Sequence, residues 1–200
     1  MHILIFDTEY ISISKLKSDM KSVLKFKNIK FPEIFQFGFI LIKKNNNNFR
    51  IIKKSVFNLK TKQKISYRLK KLTNLKKIDF KSSINFFFFI KKISKFFRNN
   101  IIFLSNGEDA KLLKMNLLNQ DIKLNKTIKY INLRKISKLI YKNNLNTEYI
   151  KNTFKLRKIK SHNALNDCFT LYDYLRLLNT KLGFKKLDKL LKDHIKKLFL

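Results

Sequence analysis

Acidic residues are scarce in this chain: 13 Asp and Glu stand against 46 Lys and Arg, a net charge of +33 over 200 residues. So basic a surface points to a polyanionic partner, nucleic acid or a membrane surface. Pro, Gly and Trp are also rare while Lys, Asn, Ile and Phe abound, the composition that an AT-rich genome imposes on any protein, so charge alone permits nucleic-acid binding without establishing it. The one cysteine, Cys168, excludes an intramolecular disulfide and a cysteine zinc cluster, which fits a reducing compartment. Long apolar runs are missing too. The densest, "FFFFI" at Phe86 to Ile90, is hemmed by lysines and falls far short of a membrane span. Asp7 and Glu9 stand where the apolar stretch of a signal peptide would have to be. The expectation is a cytoplasmic, soluble protein with no membrane partner.

What is present is a hydrophobic content of 44%, enough for one domain with a substantial core. His2 to Glu9 reads as a strand. Ile3, Ile5, Asp7 and Glu9 alternate with Leu4, Phe6 and Thr8, so the first half is apolar on both faces and the second ends in carboxylates. A lysine-dotted linker runs to Lys30, and Pro32 introduces "EIFQFGFILI" as a second strand. "KNNNN" turns the chain into a third, "FRIIKKSVFNL". Phe86, Phe89, Ile90, Ile93, Phe96 and Phe97 then recur at helical spacing and read as core. "NNIIFLSNG" is a strand that leads into the helix "EDAKLLKMNLL", and "TIKYINL" is a short strand. Asn163 to Leu178 predicts a helix whose stripe is Leu165, Phe169, Tyr172 and Leu175 or Leu177. In the last segment Leu187, Leu190, Leu191, Ile195 and Leu198 share one face of a basic amphipathic helix, expected to dock on its own domain rather than on a membrane or partner. The pattern predicts an α/β domain around a mixed sheet, with its site at the C-terminal ends of parallel strands.

Because acids are few, their positions are informative. Asp7 and Glu9, two apart on a strand, project to one side with Cβ atoms about 7 Å apart and could share hard cations. Any isolated DxE pair is more often a solvated strand end; here it caps a buried-type strand. Asp109 follows the strand "IIFLSNG" at the same kind of junction, with Glu108 competing for the role and dipole stabilisation as the plainer explanation. His162 stands just before a helix and Asp167 in its first turns. Separately these are a surface histidine and a solvated acid; together they put a proton acceptor and a carboxylate at one helix entrance, as metal-assisted hydrolysis requires.

"FDTEY", "PEIFQFGFILI", "LTNL" at Leu72 to Leu75, "SNGEDAKLL" and "HNALNDCFTLYDYL" occur in the order and approximate spacing of the DEDDh 3′-to-5′ exonucleases, the group that includes the proofreading subunit of bacterial DNA polymerase III and several RNA-trimming enzymes. The chain resembles that family from about Ile3 to Leu178. The resemblance implies a ribonuclease H-like fold over 1–180, a three-stranded antiparallel meander plus parallel strands flanked by helices, with 181–200 as the docked C-terminal helix. It implies that Asp7, Glu9, Asp109 and Asp167 are metal-site acids and His162 the general base, with Thr8, Tyr10 and Leu72 as weaker candidates for substrate contact. Departures are Asn106, where the middle motif often has an aromatic residue, Asn74 in place of a glycine, and Cys168 in place of alanine, a small buried residue rather than a nucleophile.

The implied chemistry is hydrolysis of single-stranded DNA or RNA 3′ ends to 5′-mononucleotides with two Mg²⁺ or Mn²⁺ ions. Asp7 bridges them in this expectation, Glu9 and Asp167 complete the nucleophile side, Asp109 holds the second ion and His162 takes the proton from water. The alternative is a non-catalytic basic nucleic-acid-binding or interaction module on a degenerate exonuclease fold. A polymerase or other protein partner is open at the C-terminal helix.

Overall fold

The computed structural model describes every residue except 12–31, 46–47, 74, 76–78, 80, 99, 158 and 160–161. The lysine-dotted linker and Asn74 therefore lie outside the described residues. Strands β1 (His2–Ile11), β2 (Glu33–Lys44) and β3 (Phe49–Asn58) form the expected antiparallel meander. Then come α1 (Tyr67–Thr73), α2 (Phe86–Ile93), β4 (Ile101–Ser105), α3 (Asp109–Asn119), β5 (Thr127–Asn132), α4 (Leu133–Tyr141), α5 (Thr147–Thr153), α6 (Ala164–Leu182), α7 (Phe184–Asp193) and β6 (Lys196–Phe199). The sheet order is β3-β2-β1-β4-β5-β6, with β1, β4 and β5 parallel to one another and β6 antiparallel to β5. No described helix is long and apolar enough to cross a membrane.

The alternation in β1 divides two cores. Ile3 and Ile5 join an aliphatic core with Ile40, Leu104 and the inner faces of α6 and α7. Leu4 and Phe6 join a phenylalanine-rich core against α2 and α3. In the second, Phe6 stacks on Phe37 at 5.4 Å and Phe37 meets Phe89 at 4.9 Å between ring centroids. Each such ring contributes about 1.5–3 kcal/mol by burial and a further increment from its offset or edge contacts. Helix α2 starts where Asn85 accepts a hydrogen bond from the Phe88 amide at 2.8 Å. It buries Phe86, Phe89, Ile90 and Ile93, and Phe96 and Phe97 just beyond are buried as well, as their spacing predicts.

Two expectations need correction. Tyr172 and Leu175 are buried as expected, but the buried stripe of α6 is led by Ala164, Cys168, Leu171 and Leu178, whereas Leu165, Phe169 and Leu177 are only partly buried beside it. Small residues lead this stripe because the helix begins directly on the sheet at Gly38, where a Cβ would overlap the backbone of Ala164 and Leu165. The last segment is not one helix. α7 stops at Asp193, and the chain then pairs along β5, burying Leu200 and packing Leu198 against the phenylalanine-rich core. Leu198 and Leu200 share a face with strand spacing, and β6 satisfies backbone groups that β5 would otherwise leave unpaired at the sheet edge. Ile195 and Leu198 fit a helical spacing only by coincidence.

Candidate active site

The C-terminal ends of the three parallel strands open into a cleft of about 360 Å³ lined by Asp7, Glu9, Asp109, His162 and Asp167 among others. Asp7 and Glu9 extend the Ile3–Ile5 face of β1, pairing across the sheet with Gly38 and Gln36 of β2. That register places them under the start of α6. Gln36 fixes the helix there: its Oε1 accepts from the Ala164 amide at 3.0 Å while its Nε2 donates to Asn58 Oδ1 at 2.9 Å. With Gly38 allowing close approach, the first turn of α6 carries Asp167 over β1. One ligand oxygen from each of Asp7, Glu9 and Asp167 then lies within 4.8 Å of the others.

Asp109 opens α3 at the end of β4 and is buried. Its Oδ1 accepts from the Thr8 amide at 3.1 Å and from the Thr8 hydroxyl at 2.7 Å. Its rival Glu108 is exposed and pairs with Lys111 at 2.7 Å. Thr8 thus reaches Asp109 from the face of β1 opposite Asp7 and Glu9. Tyr10 lines the cleft at 40% exposure. Leu72 lies on α1, 45% exposed, and is not among the residues lining the cleft.

His162 adopts a left-handed backbone, φ 60°, just before α6. In that turn its amide donates to Asp167 Oδ2 at 3.1 Å, so the acid and the histidine are tied together. Its Nε2 lies 3.9 Å from Glu148 Oε2 of α5. Sequence spacing did not single out Glu148 or Arg134, which also line the cleft. Glu148 follows a loop and Arg134 a direct strand-to-helix junction, and asparagines fix both. Asn106 donates to Leu145 O at 3.0 Å and to the Thr147 hydroxyl at 3.2 Å, anchoring the start of α5. Asn132 donates to Gly107 O at 2.8 Å and accepts from the Arg134 amide at 3.1 Å. An asparagine at 106 is therefore a structural tie here, and Asn-rich turns were the signal that could have marked these loops.

The electrostatics are those of a crowded acidic cluster. Burial pushes the Asp7 carboxyl well above its ordinary range, and repulsion by Asp109, Asp167 and Glu9 pushes it further. Burial, then Asp167 and Asp109, raises Glu9 to about 8. Asp167 rises to about 6 through burial, opposed by its bond from the His162 amide. Burial also raises Asp109, against the pull of the Thr8 hydrogen bonds. None of the four forms an ion pair among the described residues. Crowded carboxylates of this kind fit hard divalent cations, which would relieve the repulsion. Cys168 is fully buried beneath them, its thiol pushed well up by burial and by their charges, which suits an inert packing residue.

Residues 4–175 match the RNase T family model, described as exonuclease. The chain belongs to that exonuclease family. Its six-stranded mixed sheet flanked by helices is the ribonuclease H-like fold, and the DEDDh resemblance holds. The chain is similar to the nuclease domain of 3′hExo, a DEDDh family member bound to rAMP, at 16% identity and TM-score 0.68 over 90% of this chain and 92% of that one. It is similar to cell-death related nuclease 4, at 13% identity and TM-score 0.64 over 100% of this chain and 80% of that one. It is also similar to the zinc-bound E. coli ExoI–ssDNA complex, at 15% identity and TM-score 0.67, over 94% of this chain but only 42% of ExoI. No curated protein matches the chain.

Proposed function

We propose that this exonuclease-family protein is a metal-dependent 3′-to-5′ exonuclease releasing 5′-mononucleotides from single-stranded DNA or RNA ends. One observation carries the proposal: Asp7, Glu9 and Asp167, drawn from opposite ends of the chain, bring carboxylate oxygens within 4.8 Å with no basic side chain paired to them among the described residues. A module that only bound nucleic acid would gain nothing from buried acids that repel phosphate. The solved relatives supply the 3′-to-5′ direction by analogy.

Asp7, Glu9, Asp167 and Asp109, the last rather than Glu108, would hold two Mg²⁺ or Mn²⁺ ions, with Asp7, Glu9 and Asp167 serving activation of the water and Asp109 the leaving group. When bound, such ions make water more acidic and stabilise charge on the departing 3′ oxygen. The rest falls to the chain's own side chains. His162, 40% exposed on its side chain, accepts the proton of the attacking water. Its amide bond to Asp167 keeps base and acid in one geometry. Thr8 holds Asp109, and Tyr10 at the rim is placed to pack against the terminal nucleotide. Leu72, exposed on α1, is the weaker candidate for substrate contact. The lysine-rich surface gathers the strand through its phosphates, so affinity falls steeply with salt. A buried lone thiol fits a reducing, cytoplasmic setting.

The test is digestion of 5′-labelled single-stranded DNA and RNA with Mg²⁺, Mn²⁺ or chelator. The expected result is a metal-dependent ladder shortening from the 3′ end, lost in His162→Ala. Salt-sensitive binding with no cleavage under any metal would overturn the proposal.

A further inference from the structure

In a cleft dominated by carboxylates, Arg134 is a cation with no ion-pair partner among the described residues. It occupies the first turn of α4, immediately after β5, and lines the same cleft as Asp7, Asp109 and Tyr10. Its amide is fixed by Asn132, so the root of the side chain is held. Beside Gly107, Asp109 Oδ2 and Arg134 Nη2 face a common point: a Cβ there would lie 3.5 Å from the first and 3.6 Å from the second. Even so, Arg134 forms no ion pair with Asp109 or any other acid among the described residues. Its Nε is buried and has no hydrogen-bond partner among the described residues. A buried donor left unpaired is costly, and the outer Nη2 of the same half-buried guanidinium stands beside Gly107 on the cleft wall, where an acceptor can arrive with a ligand.

The geometry points to Arg134 as a phosphate-binding residue for the substrate strand, clamping one backbone phosphate beside the linkage presented to the acids. This deepens the exonuclease proposal and rests on it. The chemistry is specific to a planar guanidinium: its forked N–H groups bind two phosphate oxygens at once, which a lysine ammonium cannot reproduce. β5 lies two strand spacings from β1, about 10 Å. A guanidinium rooted there and reaching over the end of β4 therefore meets the strand beside the acidic cluster. The contact orients the strand without reading its bases, consistent with sequence-tolerant trimming.

The test combines Arg134→Ala and Arg134→Lys with oligonucleotides carrying a single methylphosphonate, which removes one phosphate charge, at each of the last few linkages in turn. Binding is read by fluorescence anisotropy with Ca²⁺, and turnover of the unmodified strand with Mg²⁺. Arg134→Ala should raise KM about tenfold or more while changing kcat little, and Arg134→Lys should recover only part of that loss. At one linkage the methylphosphonate should weaken binding by the wild type and have no further effect on Arg134→Ala. A structural role for Arg134 would not generate that position-specific coupling, and thermal unfolding of both variants separates misfolding from lost contact. Unchanged KM in Arg134→Ala, or additive losses at every linkage, would overturn the assignment. If the wild type cleaves nothing, the exonuclease proposal fails, while coupling in the binding assay still reports the phosphate contact.

Discussion

Two sets of acids in this molecule have opposite surroundings. Asp173 is held by Arg157, with Nε–Oδ2 3.1 Å and Nη2–Oδ1 3.2 Å, and Asp188 pairs with both Lys44 and Lys192. Asp7, Glu9, Asp109 and Asp167 have no such partner among the described residues, although basic residues outnumber acidic ones 46 to 13. Among the described residues, then, the abundance of lysine does not translate into an ion pair for any of the four. The fold gathers them at the ends of buried strands and the starts of two helices, where burial raises the pKa of each. Asp173 and Asp188 serve folding locally, whereas the cleft acids cost stability and offer a site in return.

Removing one cleft charge gives the largest expected effect. Asp7→Asn should cut metal-dependent hydrolysis by about 10³-fold or more, since metal stabilisation is worth several kcal/mol and each 1.36 kcal/mol is about tenfold. The same substitution should raise the thermal midpoint of metal-free protein at alkaline pH, because it removes a buried charge and its repulsions. An active Asp7→Asn enzyme, or one destabilised in chelator, would erase the contrast between the two sets.

pH and metal come next. Folded Glu9 keeps its proton up to about pH 8, whereas an unfolded glutamate releases it near about 4.3. Between those values the folded state binds a proton that the unfolded state has lost. The stabilisation from Glu9 is therefore complete below the ordinary carboxylate range and vanishes as pH rises through about 8. Asp167 loses its share earlier, as pH passes about 6. In chelator, urea midpoints of the wild type should fall relative to Glu9→Gln between about pH 5 and about pH 8.5. Mg²⁺ at a hundredfold excess over its Kd should restore about 2.7 kcal/mol. A wild type that tracks Glu9→Gln across that range, with no response to Mg²⁺, would place these acids among ordinary solvated ones.

Gly38→Ala probes how the cluster is assembled. The added methyl has to displace the Ala164 backbone, at a cost of about 1–3 kcal/mol. Because Asp167 rides on the same turn, activity should fall more than unfolding alone explains, measured as kcat at a temperature where the variant is fully folded. Full activity in a folded variant would show that the helix start does not position the acid.

How much of this was legible beforehand follows from where each residue sits. β1 was readable because its alternation continues unbroken from Ile3 to Glu9, and the carboxylates inherit their facing from the apolar residues before them. The α2 phenylalanines were readable for the same reason, since period and burial agree. In α6 the pattern misled, because the face nearest the sheet is led by Ala164 and Cys168, and size rather than hydrophobicity selects it. β6 was hidden because its pairing energy lies in backbone contact with β5, which side-chain periodicity does not encode. Glu148 and Arg134 escaped notice because a loop tied by Asn106 and a strand-to-helix junction tied by Asn132 carry them to the cleft. Linear order records neither tie.

The smallest expected effect is the control for the whole comparison. Asp173 lies six positions after Asp167 on α6, about 9 Å along the helix axis. Its bond to Arg157 is bidentate, but the arginine is 45% exposed. Such a pair contributes about 0–1 kcal/mol and is screened by salt. Asp173→Asn should therefore shift the thermal midpoint slightly, by an amount that shrinks as salt increases, and leave kcat and metal affinity unchanged. The charge removed equals that of Asp7→Asn; only the surroundings differ. A loss of activity comparable with Asp7→Asn would mean that net charge along α6, rather than convergence at the strand ends, governs the site.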